Sequence, residues 1–194
     1  MDRAADNARD QALVEAALDG QLDAFNQLVV TYQDYLYSMT VRVVRDRDIA
    51  EEAVQEAFFS AYRNLGRFSG PSFRAWLTRI AINAARDLLR KRKRRPSEPY
   101  PEWEDDSWPP PAPESERPER VADARQQRAA IARCMEGITD DQRAAIVLFD
   151  VQGYDYGEIA AMTEVSVGSV KSRIHRGRLA LRECLGPLME LFRG

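Results

Sequence analysis

Histidine is almost missing from this chain: His175 is the only one in 194 residues, and the two cysteines, Cys134 and Cys184, stand far apart with no CxxC partner. A metal site built on histidine or paired cysteine therefore has too few ligands. A Ser-His or Cys-His nucleophile has equally little to draw on. In a chain read as cytosolic, each thiol is expected to be a small buried apolar side chain rather than half of a disulfide, with a redox-sensing pair as the alternative. The ten glycines make no phosphate-binding loop, so no cofactor is implied. No apolar run approaches the ~18 residues of a membrane span. The start, Met1-Asp2-Arg3-Ala4-Ala5-Asp6, is too polar for a secretory signal. These absences point to a cytoplasmic protein that is neither an enzyme nor embedded in a membrane.

What the chain does have is segregated charge. The net charge is −3, yet Arg86 to Arg95 carries seven bases and one acid, while Ser97 to Arg120 carries eight acids and two bases. The mean conceals a basic segment next to an acidic one, and the distribution is what bears on nucleic acid. Eight of the ten prolines lie between Pro96 and Pro118. Proline removes backbone donors and resists helix, so residues 96–120 are expected to be an extended acidic linker. Trp103 and Trp108 within it suggest docking on a partner.

Both flanks read as helix, with no useful run of strand alternation. A short helix over Ala12 to Leu18 falls in an N-terminal segment, residues 1–22. Asp23 can cap a helix with Phe25, Leu28, Val29, Tyr32, Leu36, Met39 and Val43 inward. Asp48 with Glu51 forms an aspartate version of the capping box and opens a helix that turns Ala53, Val54, Ala57, Phe58, Ala61, Tyr62 and Leu65 to the core. After the loop Gly66 to Pro71, Ser72 caps a long third helix that runs into the basic stretch. Beyond the linker a helix from about Val121 stops near Gly137. Thr139 with Gln142 and Asp155 with Glu158 are capping boxes, Gly153 ends the helix between them, and Ser166 caps a last long helix. The turn Thr163-Glu164-Val165-Ser166 between the last two helices makes a helix-turn-helix. The fold expected is all-α: a first domain over 23–95, the linker, a second domain over 121–185, and a tail over 186–194.

Three surface faces follow from helical spacing at about 100° per residue. On the third helix, Phe73, Leu77, Ile80, Ala84 and Leu88 form the core stripe. Trp76, Arg79, Asn83, Arg86 and Arg90 align about a third of a turn away. An aromatic, an amide and a row of arginines suit bases out of the stack, although Trp76 could equally complete the core. On the last helix, Val170, Ile174, Leu181 and Leu185 point inward, with Gly177 permitting close approach. Ser169, Ser172, Arg173 and Arg176 share an outer face that fits a major groove. Lys171, His175 and Arg178 lie to one side and suit phosphates. An ordinary basic amphipathic helix is the plainer alternative. The second helix carries Glu51, Glu52, Gln55, Glu56, Arg63 and Asn64 outward, a face for solvent or for a protein.

DAFNQLVVTYQDYLY, DIAEEAVQEAFFSAYRNLGRF and SFRAWLTRIAINAARDLLRKRKRR resemble the first conserved domain of extracytoplasmic-function sigma factors. ITDDQRAAIVLFDVQGYDYGEIAAMTEVSVGSVKSRIHRGRLALREC resembles their second. The resemblance implies that Glu52, Gln55, Glu56 and Arg63 dock on the coiled coil of the largest subunit of core RNA polymerase, with the second domain near the flap. It implies that Phe68, Trp76, Arg79, Asn83, Arg86 and Arg90 melt the minus-ten element and hold a flipped base of the non-template strand. Ser169, Lys171, Ser172, Arg173, His175 and Arg176 would read the minus-thirty-five element of promoter DNA as duplex. It also suggests an inhibitory anti-sigma partner, often membrane-anchored. Gly157 in the first helix of the helix-turn-helix and the proline-rich linker depart from the family pattern. An autonomous dimeric helix-turn-helix regulator would explain the last domain but not the Trp76/Asn83 stripe. An enzyme with an appended DNA-binding domain lacks the residues for its chemistry.

Overall fold

Short polar side chains fix most of the helix starts. The computed structural model describes the backbone of residues 3–94 and 118–192 and the side chains of residues 5–94 and 126–189. Nearly all of the proline-rich linker falls outside the described residues. Among them there are eight α-helices and no strand, the all-α architecture expected. The first four are α1 (Arg3–Leu18), α2 (Leu22–Val44), α3 (Arg47–Arg63) and α4 (Phe73–Arg94). The last four are α5 (Pro118–Glu136), α6 (Asp140–Ile146), α7 (Tyr156–Thr163) and α8 (Val167–Leu185).

The caps Thr139/Gln142 and Asp155/Glu158 are reciprocal capping boxes, and Ser72 and Ser166 accept from Ala75 N and Ser169 N. Two aspartates predicted as caps are not. The residue before α2 is Gln21, with Asp23 already in the first turn. At α3 the cap is Asp46, which accepts from Ile49 N at 3.0 Å, and Asp48 sits in the first turn. An acidic residue one turn inside a helix still favours the positive end of the macrodipole, so a cap and a first-turn aspartate look alike in sequence. The first helix extends well before Ala12. Helix α5 starts at Pro118, three residues earlier than predicted, with proline in the first turn where its missing N–H costs nothing.

Leu28, Leu36, Met39, Ala53, Ala57, Phe73 and Leu77 pack the interior of the first four helices, all at 0–1% exposure. In the second half, Leu148, Ile159, Val170 and Ile174 do the same. Gly177 permits close approach there, since a Cβ would lie 2.6 Å from Ile146 Cδ1 and 3.3 Å from Gln142 Cβ and those side chains would have to shift. After Ile146 the chain passes through a π-helical turn, Val147–Val151, and Gly153 turns it at φ +71°.

The two halves are packed together, α4 lying against both α3 and α7. This explains a shift in the buried face of α4. Thr78, Ala81, Ile82 and Ala85 are buried, whereas Ile80, Ala84 and Leu88, predicted for the core, are only partly covered. Between the halves, the hydroxyls of Tyr35, Thr78 and Tyr154 form a triangle with sides of 2.9–3.1 Å. Arg74 stacks on the Tyr35 ring at 4.1 Å and donates to Gln152 at 3.1 Å. Burial, with the neighbouring Tyr35 hydroxyl, pushes the Tyr154 phenol above its ordinary range.

The expectation for the cysteines is overturned. Cys134 on α5 and Cys184 on α8 form a disulfide with a Cα–Cα distance of 5.7 Å. Packing of α5 on α8 brings the two within bridging range, which a separation of 50 residues in sequence does not disclose. The chain after α8 forms a 3-10 helix, Gly186–Phe192, that packs on α5 and α8.

Candidate nucleic-acid interface

The row on α4 begins with an aromatic trio. A 3-10 turn, Leu65–Arg67, places Phe68 so that its ring meets Trp76 at 5.3 Å and Phe73 at 5.7 Å. Trp76 is half-buried and also contacts Phe73 at 5.7 Å. One part of its surface therefore completes the core while the rest stays accessible, so both readings of its side chain describe part of it. Further along, Arg79 is exposed and pairs with Glu164 at 3.1 Å. Asn83 is half-buried. Arg86 donates to Asp141 at 2.8 Å and to the Thr163 carbonyl at 3.1 Å. Arg90 is exposed and meets Asp87 at 3.4 Å.

The second face belongs to α8. Glu164, in the left-handed conformation at φ +57°, ends α7, and Ser166 starts α8 two residues later. Val170 and Ile174 fix the inner side, which leaves Ser169, Lys171, His175 and Arg176 exposed. Ser169 shares a hydroxyl contact with Ser166 at 2.9 Å. Arg176 donates to Ser172 Oγ at 2.8 Å, one turn back. Lys171 lies 5.4 Å from the Tyr156 ring. Arg173 is turned towards Asp141, 2.8 Å away. Arg178 pairs with Asp150, and this hydrogen bond raises its pKa.

On α3, Glu52, Gln55, Glu56 and Arg63 are exposed together. Beside them runs an apolar groove between α2 and α3, lined by Leu22, Phe25, Val29, Val54, Phe58, Phe59 and Tyr62. Phe59 is 63% exposed and Tyr62 51%. Tyr62 was expected inward; its ring instead caps Phe25 edge-on at 5.0 Å from the surface. Phe59 is the residue that sequence reasoning missed. Its signal was available, since a phenylalanine out of phase with Ala53, Ala57 and Ala61 falls on the polar side.

Residues 28–95 match the family described as Sigma-70 region 2, and residues 128–181 match Sigma-70, region 4. Two such regions in this order on one helical chain define the sigma-70 class of transcription initiation factors. Over 185 residues the chain is 38% identical to the RNA polymerase sigma-H factor of Pseudomonas aeruginosa, covering 93% of this chain and 96% of that protein. It is 39% identical over 184 residues to the ECF RNA polymerase sigma-E factor of Escherichia coli K12, with the same coverage. Among solved structures it is similar to CnrH in complex with the cytosolic domain of CnrY, with a TM-score of 0.64, 28% identity, and 92% and 98% of the two chains covered. It is also similar to RpoE from Bartonella quintana in complex with the anti-sigma factor NepR, with a TM-score of 0.64, 25% identity, and 84% and 96% covered. The chain belongs to the extracytoplasmic-function sigma factors of the sigma-70 family, and its function is that of an alternative sigma factor.

Proposed function

We propose that this chain acts by binding alone: it attaches to core RNA polymerase and gives it two DNA-reading faces. The observation that carries this reading is the presence of two chemically different cationic faces on one chain. The α4 row pairs aromatic rings with an amide and arginines, a combination suited to unstacked bases. The α8 face presents serines, a lysine and arginines from a capped recognition helix, which suits duplex DNA. Accordingly Phe68, Trp76, Arg79, Asn83, Arg86 and Arg90 capture the melted minus-ten element. Ser169, Lys171, Ser172, Arg173, His175 and Arg176 contact the minus-thirty-five element. The domain limits 23–95 and 121–185 are the units of this division.

Glu52, Gln55, Glu56 and Arg63 dock on the largest subunit of the polymerase. The neighbouring Phe59 and Tyr62 support the same role, because an apolar groove edged by charge is a usual form of protein interface. A second expected partner is an anti-sigma protein, which one similar solved structure contains. The site of action is the cytoplasm; no described helix is long and apolar enough to cross a membrane.

The test is transcription by purified core polymerase on a pool of random upstream sequences, with and without this protein. Protein-dependent transcripts sharing two spaced motifs are the expected result. A folded protein that neither binds core nor yields such transcripts would point to an autonomous regulator instead.

A further inference from the structure

Asp141 stands in the first turn of α6, outside both proposed DNA faces, yet it holds one arginine from each. Its Oδ1 accepts from Arg86 on α4 and its Oδ2 from Arg173 on α8, each at 2.8 Å. The two arginine side chains are only 19% and 20% exposed, while the carboxylate is 42% exposed. We propose that the free protein latches itself shut on Asp141, so that the unbound chain masks both of its DNA faces at once. This rests on the assignment of those faces made above.

Neighbouring contacts act in the same direction. Arg86 also donates to the Thr163 carbonyl at 3.1 Å, at the end of α7, where the helix leaves carbonyls without internal partners. Arg79 is occupied by Glu164, the next residue. Lys93, in the basic stretch of α4, pairs with Asp140 at 2.6 Å. Three cations of the basic helix are thus engaged by carboxylates of the second half. A phosphate cannot take the same guanidinium N–H groups while the carboxylate and carbonyl hold them.

The latch is also releasable. Ion pairs open to water are weak and screened by salt, so a strand of phosphates, or a polymerase surface that draws the halves apart, can displace Asp141. The buried hydroxyl triangle of Tyr35, Thr78 and Tyr154 gives the closed form its register. Breaking the latch therefore shifts the balance between closed and open forms without altering either face.

The experiment uses the free full-length protein, a fluorescein-labelled mixed-sequence DNA duplex at low salt, and small-angle X-ray scattering. Asp141→Asn is compared with wild type and with Asp34→Asn, which removes an equal charge from an exposed position on α2, outside both faces. Asp141→Asn is expected to bind the duplex about twofold to fivefold more tightly, the size of a surface ion-pair loss, and to have a larger radius of gyration. Asp34→Asn should change neither by as much. Equal gains from both variants with unchanged scattering would mean that charge alone is responsible, and would overturn the latch. Thermal unfolding of each variant confirms that a null result is not a folding defect. Arg173→Ala in the Asp141→Asn background separates the two claims. If it abolishes the gained binding, the face assignment stands whatever becomes of the latch; if it leaves binding unchanged, the face assignment has failed.

Discussion

A guanidinium carries five donors, and Arg143 directs its own to three different segments. Its Nε donates to the Met135 carbonyl at 3.0 Å, one terminal nitrogen to Val43 at 3.1 Å, and the other to Ile138 at 3.0 Å. Val43 is in the last turn of α2, so a buried cation there also meets the negative end of that helix. Burial lowers the Arg143 pKa. Lysine cannot reproduce that fork. Arg143→Lys is predicted to destabilise the protein by about 1–3 kcal/mol, the cost of leaving buried carbonyls unsatisfied, as measured by urea unfolding. Asp10 is the opposite case: a carboxylate 3% exposed, taking a hydrogen bond from the Tyr32 hydroxyl. Burial raises its pKa above 3.8. The folded state then binds the proton more readily than the unfolded chain, so this group's contribution is full below pH 3.8 and is lost as pH rises through the raised value. Asp10→Asn keeps an acceptor for Tyr32 without the charge. Its stability should lack that acid-side decline, a difference readable from denaturant midpoints across the acidic range.

Helix starts marked by a capping residue with a fitting partner three positions on, or by a lone serine, were legible in the sequence: Thr139, Asp155 and Ser166 carry the hydrogen bonds that their local patterns predict. The starts of α2 and α3 were not, because more than one polar residue near each could serve and the choice depends on where the preceding turn leaves the backbone. The register of α4 was half legible. Its spacing located an apolar stripe and a polar row, but Thr78 is buried among Tyr35 of α2 and Tyr154 ahead of α7, contacts that no local pattern reveals. The Cys134–Cys184 bond is of the same kind. It ties α5 to the C-terminal part of α8, while Arg45, in the left-handed position after α2, grips the Ala132 carbonyl and Glu136 on α5. Closing a loop of 50 residues limits the unfolded chain by up to about 4 kcal/mol on the chain-entropy view. The double variant C134S/C184S should therefore unfold at lower temperature than the oxidised protein, and dithiothreitol should bring the wild type down to the variant's value. Identical melting with and without reductant would show that the bond contributes nothing in solution.

At the scale of the whole molecule, the charge segregation along the chain, a basic run beside an acidic one, was legible in the sequence. The two halves were also legible as separate helical units, because the proline-rich stretch divides them. Their mutual packing was not, since Asp141 and Arg86 lie 55 residues apart and nothing local marks them as partners. In the proposed function each face has its own task, with polymerase fixing their spacing so that the second contact occurs at high effective concentration. The measurement that bears on this most directly is promoter binding and strand opening by the reconstituted holoenzyme, followed by footprinting and by permanganate reactivity. Trp76→Ala is predicted to leave the protected region intact and reduce opening by on the order of tenfold or more, as loss of ~1–3 kcal/mol of base stacking implies. Arg173→Ala should weaken the upstream protection itself, by ~1–3 kcal/mol for a base contact. Loss of binding and opening in equal measure from both variants would contradict the division of labour between α4 and α8.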